Sequence, residues 1–190
     1  MFHPFLWVSE SSRTRVFWVF FAIAAAFMIV MQLLGAPLKT ADAPAGIVSY
    51  ELAGSAAVSQ RILASWDAGT RVSAGLNLGL DYLFIVSYVA AIGMGCSLLA
   101  VSFRQWARVL AWIGIVLAWG QLFAGALDAL ENAALLSLLL GAGPGAWPAV
   151  SRACAIPKFL IVALGLLYLL AAGVVALAGR RFGRQSALVE

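Results

Sequence analysis

Eight side chains interrupt otherwise apolar stretches of this sequence and carry groups that can bind, pair or move protons: Asp81, Tyr88, Gln121, Asp128, Glu131, Asn132, Arg152 and Lys158. Carboxyl groups beside an amine suit three uses. They can form an ion-pair network that fixes helix register. They can hold a polar ligand. Or a desolvated carboxyl, tuned by the amine, can act as a general acid or base.

Spacing narrows the geometry. At 100° per residue Gln121, Asp128 and Asn132 fall within about 40° of one another on a helix, with Glu131 beside that stripe. Asn77, Asp81 and Tyr88 form a second stripe, and Lys158 directly follows Pro157, where a missing N–H kinks a helix and frees a carbonyl. Counted from the arginine-marked ends of their helices, Asp81, Asp128 and Lys158 each lie about 30 Å away at 1.5 Å per residue. That is roughly one hydrocarbon thickness, so the three are expected at one level, the outer membrane boundary. Glu131 and Asn132 are expected one turn further out, Arg152 further still, and Tyr88 and Gln121 beneath. These groups should face inward, because a lipid-facing polar group has no partner. The expected site is therefore an outward-opening polar cluster of Asp81, Asp128, Glu131, Asn132 and Lys158, with Arg152, Tyr88 and Gln121 at its edges.

Other chemistries find little support. A single histidine, His3, and two cysteines without a C-x-x-C spacing make a metal site improbable, and no cofactor is expected. Cys96 and Cys154 sit at different depths, too far apart for a disulfide, which disfavours a quinone-linked thiol oxidoreductase. No G-x-S-x-G, P-loop or G-x-G-x-x-G is present. Gly93-Met94-Gly95 lies in an apolar run, where small residues let helices approach closely. Tyr50, Phe84 and Tyr168 read as packing residues, and Glu51 as a solvated or capping acid.

The elements that must position these groups follow from composition. Of 190 residues, 64% are hydrophobic and 11% charged, with a mean hydropathy of +0.99. Soluble domains average about 25% charged. Four segments are apolar enough to cross a bilayer, at about 16–36, 78–103, 107–140 and 150–179. The first is too long for a signal-peptide core and is expected to stay as a span. The expected fold is all-α: one integral membrane domain over 1–190, a four-helix transmembrane bundle with an amphipathic helical extracytoplasmic cap between its first and second helices. The net charge of +4 does not indicate a nucleic-acid partner, because the arginines cluster at the ends of apolar segments. Arg13, Arg15, Arg104, Arg108, Arg180, Arg181 and Arg184 would share one side with the acids Glu10 and Glu190, while the other side is almost neutral. The positive-inside rule then puts both termini in the cytoplasm of a multi-pass cell (inner) membrane protein.

The long connection, 38–75, carries Val48, Leu52, Ile62 and Trp66 at helical spacing, with a break at Gly54-Ser55 where Ser55 can cap a second helix. It reads as one or two amphipathic helices, either packed as a lid or gating a substrate. The third apolar segment runs about 12 Å beyond the expected boundary, from Ala133 to Leu140, and that surface needs a cover.

In these features the chain resembles a family of small four-span membrane proteins, mostly bacterial, without an assigned reaction. The shared features are the segment from Tyr50-Glu51-Leu52-Ala53-Gly54 to Trp66, a D-[YF]-x-F-x-x-x-Y motif at Asp81 to Tyr88, a D-x-x-E-N motif at Asp128 to Asn132, and a lysine opening the fourth helix, Lys158. The resemblance implies the four-helix architecture and no reaction. The expected role is a non-enzymatic binding or accessory protein, with membrane lipid and an amphiphilic ligand or membrane-protein partner in contact. The alternatives are a membrane enzyme acting on a lipid or amphiphile, and a small proton-coupled transporter. The transporter reading lacks an inverted repeat.

Overall fold

The computed structural model describes residues 2–143 and 145–186, and the side chains among them up to residue 176. Arg180, Arg181, Arg184 and Glu190, which enter the orientation argument, lie outside the described side chains. The described chain is helical throughout: α1 (Glu10–Gly35), α2 (Ile47–Glu51), α3 (Ala56–Ser65), α4 (Ala68–Phe103), α5 (Arg108–Leu139) and α6 (Trp147–Ser186). A single 3₁₀ turn, Ala36–Leu38, follows α1.

Four of these helices, α1, α4, α5 and α6, are long and apolar enough to cross a membrane. The protein is an integral membrane protein with an all-α fold. The helices differ from the apolar segments at their ends. α1 begins at Glu10 rather than near residue 16, and α6 begins at Trp147 rather than near 150. α5 matches to within one residue at each end. The largest difference is α4, which begins at Ala68, ten residues before the apolar run. Its start is set by Asp67, whose carboxylate accepts the Thr70 N–H at 2.7 Å and caps the helix. Hydropathy finds the lipid-compatible part of a helix, whereas capping and packing decide where the helix stops.

α4 is the central element and packs against α1, α5 and α6. The four-residue turn from Arg104 to Ala107 makes α4 and α5 antiparallel neighbours. Close approach depends on small residues. A Cβ on Gly114 would sit 2.9 Å from the Cys96 carbonyl oxygen and 2.7 Å from Tyr168 Cζ. One on Gly95 would meet Leu169 at 2.8 Å. Without a hydrophobic drive between helices in lipid, such contacts and interhelical hydrogen bonds hold a bundle together.

The segment between α1 and α4 packs over the ends of α4 and α5. Tyr50, Ile62 and Trp66 are buried with Leu38, Leu78, Leu135 and Leu138 in one apolar cluster. Leu135 and Leu138 at the apolar end of α5 are thereby covered, while Ala133 and Leu140 stay exposed. Trp66 Nε1 donates to the Leu38 carbonyl at 3.0 Å and Tyr50 Oη to the Leu135 carbonyl at 3.3 Å, so both rings bury their polar atoms with partners. Ser55 accepts the Val58 N–H and caps α3.

The chain ahead of α1 folds back onto the bundle, which the sequence pattern does not announce. Phe5 and Val8 form a small core with Met94, and Phe5 lies on Gly93, where a Cβ would meet its ring at 2.8 Å. His3 is buried, and its Nδ1 accepts the Phe5 N–H at 3.3 Å.

Candidate functional site

Lys158 is the hub of the polar groups. Its Nζ lies 2.9 Å from Asp128 Oδ1, 2.8 Å from Glu131 Oε2 and 4.0 Å from Glu51 Oε2. It also lies 4.7 Å from the centre of the Phe159 ring, within cation–π range. Helical spacing brings Asp128 and Glu131 to the same side of α5, three residues apart. Pro157, inside α6, removes one ladder hydrogen bond directly before Lys158.

A second layer surrounds this hub. Tyr88 Oη donates to Asp128 Oδ2 at 3.0 Å, so both oxygens of Asp128 are engaged. Asn132 Nδ2 donates to Asp81 Oδ2 at 2.6 Å, joining α5 to α4. Asp81, Asp128, Glu131, Asn132, Lys158 and Tyr88 are each at most 9% exposed, so the assembly is shut off from its surroundings.

Two expected members lie elsewhere. Arg152 is exposed, and its side chain lies across Gly54, where a Cβ would meet Arg152 Cδ at 2.6 Å. The guanidinium has no ion-pair partner among the described residues and stays out in solvent, where its hydration is retained. Gln121 is fully buried but joins a different contact. Its Nε2 donates to the Ile161 carbonyl at 3.2 Å, tying α5 to α6.

One member was misread from the sequence. Glu51 is 8% exposed and faces Lys158, Asp128 and Glu131, instead of being a solvated acid. Burial pushes its carboxyl above the ordinary range, against the pull of the Lys158 charge. The error has a clear cause. A glutamate is seldom buried without a partner, and its partner here, Lys158, stands on α6, remote in sequence. α2 ends at Glu51, and Gly54 turns the chain at φ +69°. Leu52 consequently faces outward while Tyr50 and Glu51 face inward.

The set contains four carboxyl groups, on Glu51, Asp81, Asp128 and Glu131, and one ammonium, on Lys158. Fully ionised, it would hold a large uncompensated negative charge in a medium of low dielectric constant, which is strongly unfavourable. Protons or a bound cation must balance it. Among the described residues, Glu51 Oε2, Glu131 Oε1, Asn132 Oδ1 and, beneath them, Gln121 Oε1 are buried without a donor, and Glu131 Oε2 has only the Lys158 ion pair.

The polar groups toward the Arg104 end behave differently. Tyr168 Oη donates to the Leu110 carbonyl at 3.0 Å, Ser97 Oγ to Gly93 at 3.0 Å, and Cys96 Sγ to Gly165 at 3.9 Å. Each ends on a backbone oxygen. Cys96 and Cys154 are both free thiols.

These features define a multi-pass membrane protein with a closed, lysine-centred polar cluster at one end of its bundle. No protein-family model, curated protein or solved structure matches the chain, and its function is read from its own geometry.

Proposed function

We propose that this chain is a non-enzymatic binding or accessory protein of the cell (inner) membrane. Both termini lie in the cytoplasm, and the Lys158 cluster sits at the outer boundary beneath an extracytoplasmic cap. Its contacts are membrane lipid and an amphiphilic ligand or membrane-protein partner. It groups with the small four-span proteins that share its D-[YF]-x-F-x-x-x-Y and D-x-x-E-N motifs. The orientation rests on the arginines at the turn and termini.

The carrying observation is that the ion pairs and hydrogen bonds of the cluster run between its own members and that Glu51 of α2 shuts it. A catalytic carboxyl must reach substrate. Asp128, the best placed, is held at both oxygens by Lys158 and Tyr88. A transport path needs polar groups that continue through the bundle, but those beneath the cluster end on backbone carbonyls. Leu52, Leu140 and Trp147 are exposed on the cap and on the α5–α6 connection, and offer apolar contact to a partner.

Native mass spectrometry of wild type and Asp128→Asn, released from lipid nanodiscs, tests this reading. Wild type should retain a lipid or amphiphile that the variant retains less. No retained molecule in either protein would remove the binding reading.

A further inference from the structure

The four carboxyl groups are not equally provided for. Asp128 takes hydrogen bonds from Lys158 and Tyr88, and Asp81 takes one from Asn132. Among the described residues, the Glu131 carboxyl has only the Lys158 ion pair, through Oε2 at 2.8 Å, and the Glu51 carboxyl has only the longer one, through Oε2 at 4.0 Å. Both reach the same Lys158 nitrogen, which brings the two carboxyl groups together. Yet Glu51 Oε2 and Glu131 Oε1 have no donor, and an ionised carboxylate can only accept. A carboxyl pair in that position is satisfied by one proton, which supplies both the missing donor and one unit of the missing positive charge.

We propose that Glu51 and Glu131 bind one shared proton, and that this proton latches α2 over the Lys158 cluster. The backbone around Glu51 is built to move as a short lever. α2 has five residues and is flanked by Gly46 at φ +62° and Gly54 at φ +69°, a region glycine enters without strain. When closed, α2 is held by Ser151 Oγ donating to the Glu51 carbonyl at 2.9 Å, by Tyr50 Oη on Leu135, and by the carboxyl pair. Loss of the proton to bulk water turns a singly charged pair into two facing carboxylates. That repulsion acts at the one place where α2 touches the cluster.

The sign follows from linkage. Burial raises the Glu51 pKa in the closed state, and an open, hydrated Glu51 returns to the ordinary value. Closure is therefore fully favoured below the ordinary carboxyl range and is lost as pH rises through the closed-state value. The charged and titratable groups facing Glu51 are Asp81 on α4, Asp128 and Glu131 on α5, and Lys158 on α6, with Tyr88 bonded to Asp128 and the Cys154 thiol within the field of Glu131 and Lys158. The latch goes beyond the binding role above and needs no lipid or protein ligand. A protein that retains no lipid can still show it.

Hydrogen–deuterium exchange of the peptide spanning α2, in nanodiscs from about pH 5.5 to about pH 8.5 and corrected for chemical exchange, tests it. Between the ordinary carboxyl value and the raised closed-state value, one-proton linkage predicts protection falling by up to about tenfold per pH unit and levelling off above it. Glu51→Gln and Glu131→Gln each supply a permanent donor and one less charge, so both should keep α2 protected and flatten the profile. Wild-type protection that does not change with pH would overturn the proposal. So would a wild-type slope surviving in either variant. If adding sodium chloride at high pH restores protection while choline chloride does not, the site takes a metal cation and the shared proton is wrong. If Glu51→Gln does not fold, the wild-type profile and Glu131→Gln still decide.

Discussion

The two halves of the bundle solve the same problem in opposite ways. Toward the Arg104 turn, polar side chains end on backbone carbonyls, and helices close on one another through Gly95, Gly114 and Gly165. Toward the cap, side chain meets side chain across helices, through Lys158–Asp128, Lys158–Glu131, Tyr88–Asp128 and Asn132–Asp81. The first half is held by shape, which is indifferent to pH. The second adds charge to its apolar packing, and charge depends on where protons sit. A membrane protein can be joined by either means. Placing the charged joint at one end confines its sensitivity to the region that α2 covers.

The contrast breaks most visibly at Lys158. Lys158→Met removes the only ammonium among the described residues that faces Glu51, Asp128 and Glu131, and breaking a buried ion pair by deleting one partner costs about 3–5 kcal/mol. Unfolding in mixed micelles, followed by helical circular dichroism, should show that loss. A cost under about 1 kcal/mol would mean the carboxyls already hold their own protons and do not need the lysine.

The shape-held half is probed by Gly114→Ala. The added methyl meets the Cys96 carbonyl and the Tyr168 ring, and overpacking of this kind costs about 1–3 kcal/mol. Because no titratable pair is disturbed, the loss should be the same at pH 6 as at pH 8. A pH-dependent loss would erase the distinction between the halves. A smaller effect is expected from Tyr88→Phe, which removes the donor to Asp128 Oδ2 while Lys158 still holds Oδ1. The cost should be about 1 kcal/mol in the same unfolding assay.

Much of this arrangement was legible in the sequence, for a physical reason. In an apolar chain each charge is an exception, so Asp81, Asp128, Glu131 and Lys158 stand out. A rise of 1.5 Å per residue converts their positions into depth. The helical fold was legible on the same grounds, since only closed backbone hydrogen bonding survives in lipid. The cap segment was harder. It faces both water and protein, and its apolar residues carry no depth. Glu51 was read as solvated from its residue type, because its partner Lys158 stands on a helix remote in sequence. Arg152 was placed by depth alone, which says nothing about the side of the helix it occupies. The packing of Phe5 and Val8 was illegible because no periodicity marks a short irregular segment. Gly93, the residue that receives Phe5, was visible only as a generic small residue.

The smallest predicted effect separates the cap from the bundle. Ser55 caps α3 through a 3.4 Å contact to the Val58 N–H, longer than the 2.7 Å bond by which Asp67 caps α4. The Thr70 N–H holds the Asp67 carboxyl below its usual range, which marks a strong cap that keeps its charge. Ser55→Ala should therefore cost only about 0.5 kcal/mol, the low end for such caps. Hydrogen exchange should rise in α3 and leave the first turn of α4 unchanged. If exchange instead rises together in α3, α2 and the cluster helices, the cap and the charge-held half form one cooperative unit. The glycine joints at Gly46 and Gly54 would then not isolate α2, and the comparison between the halves would have to extend the charged joint through the whole covering segment.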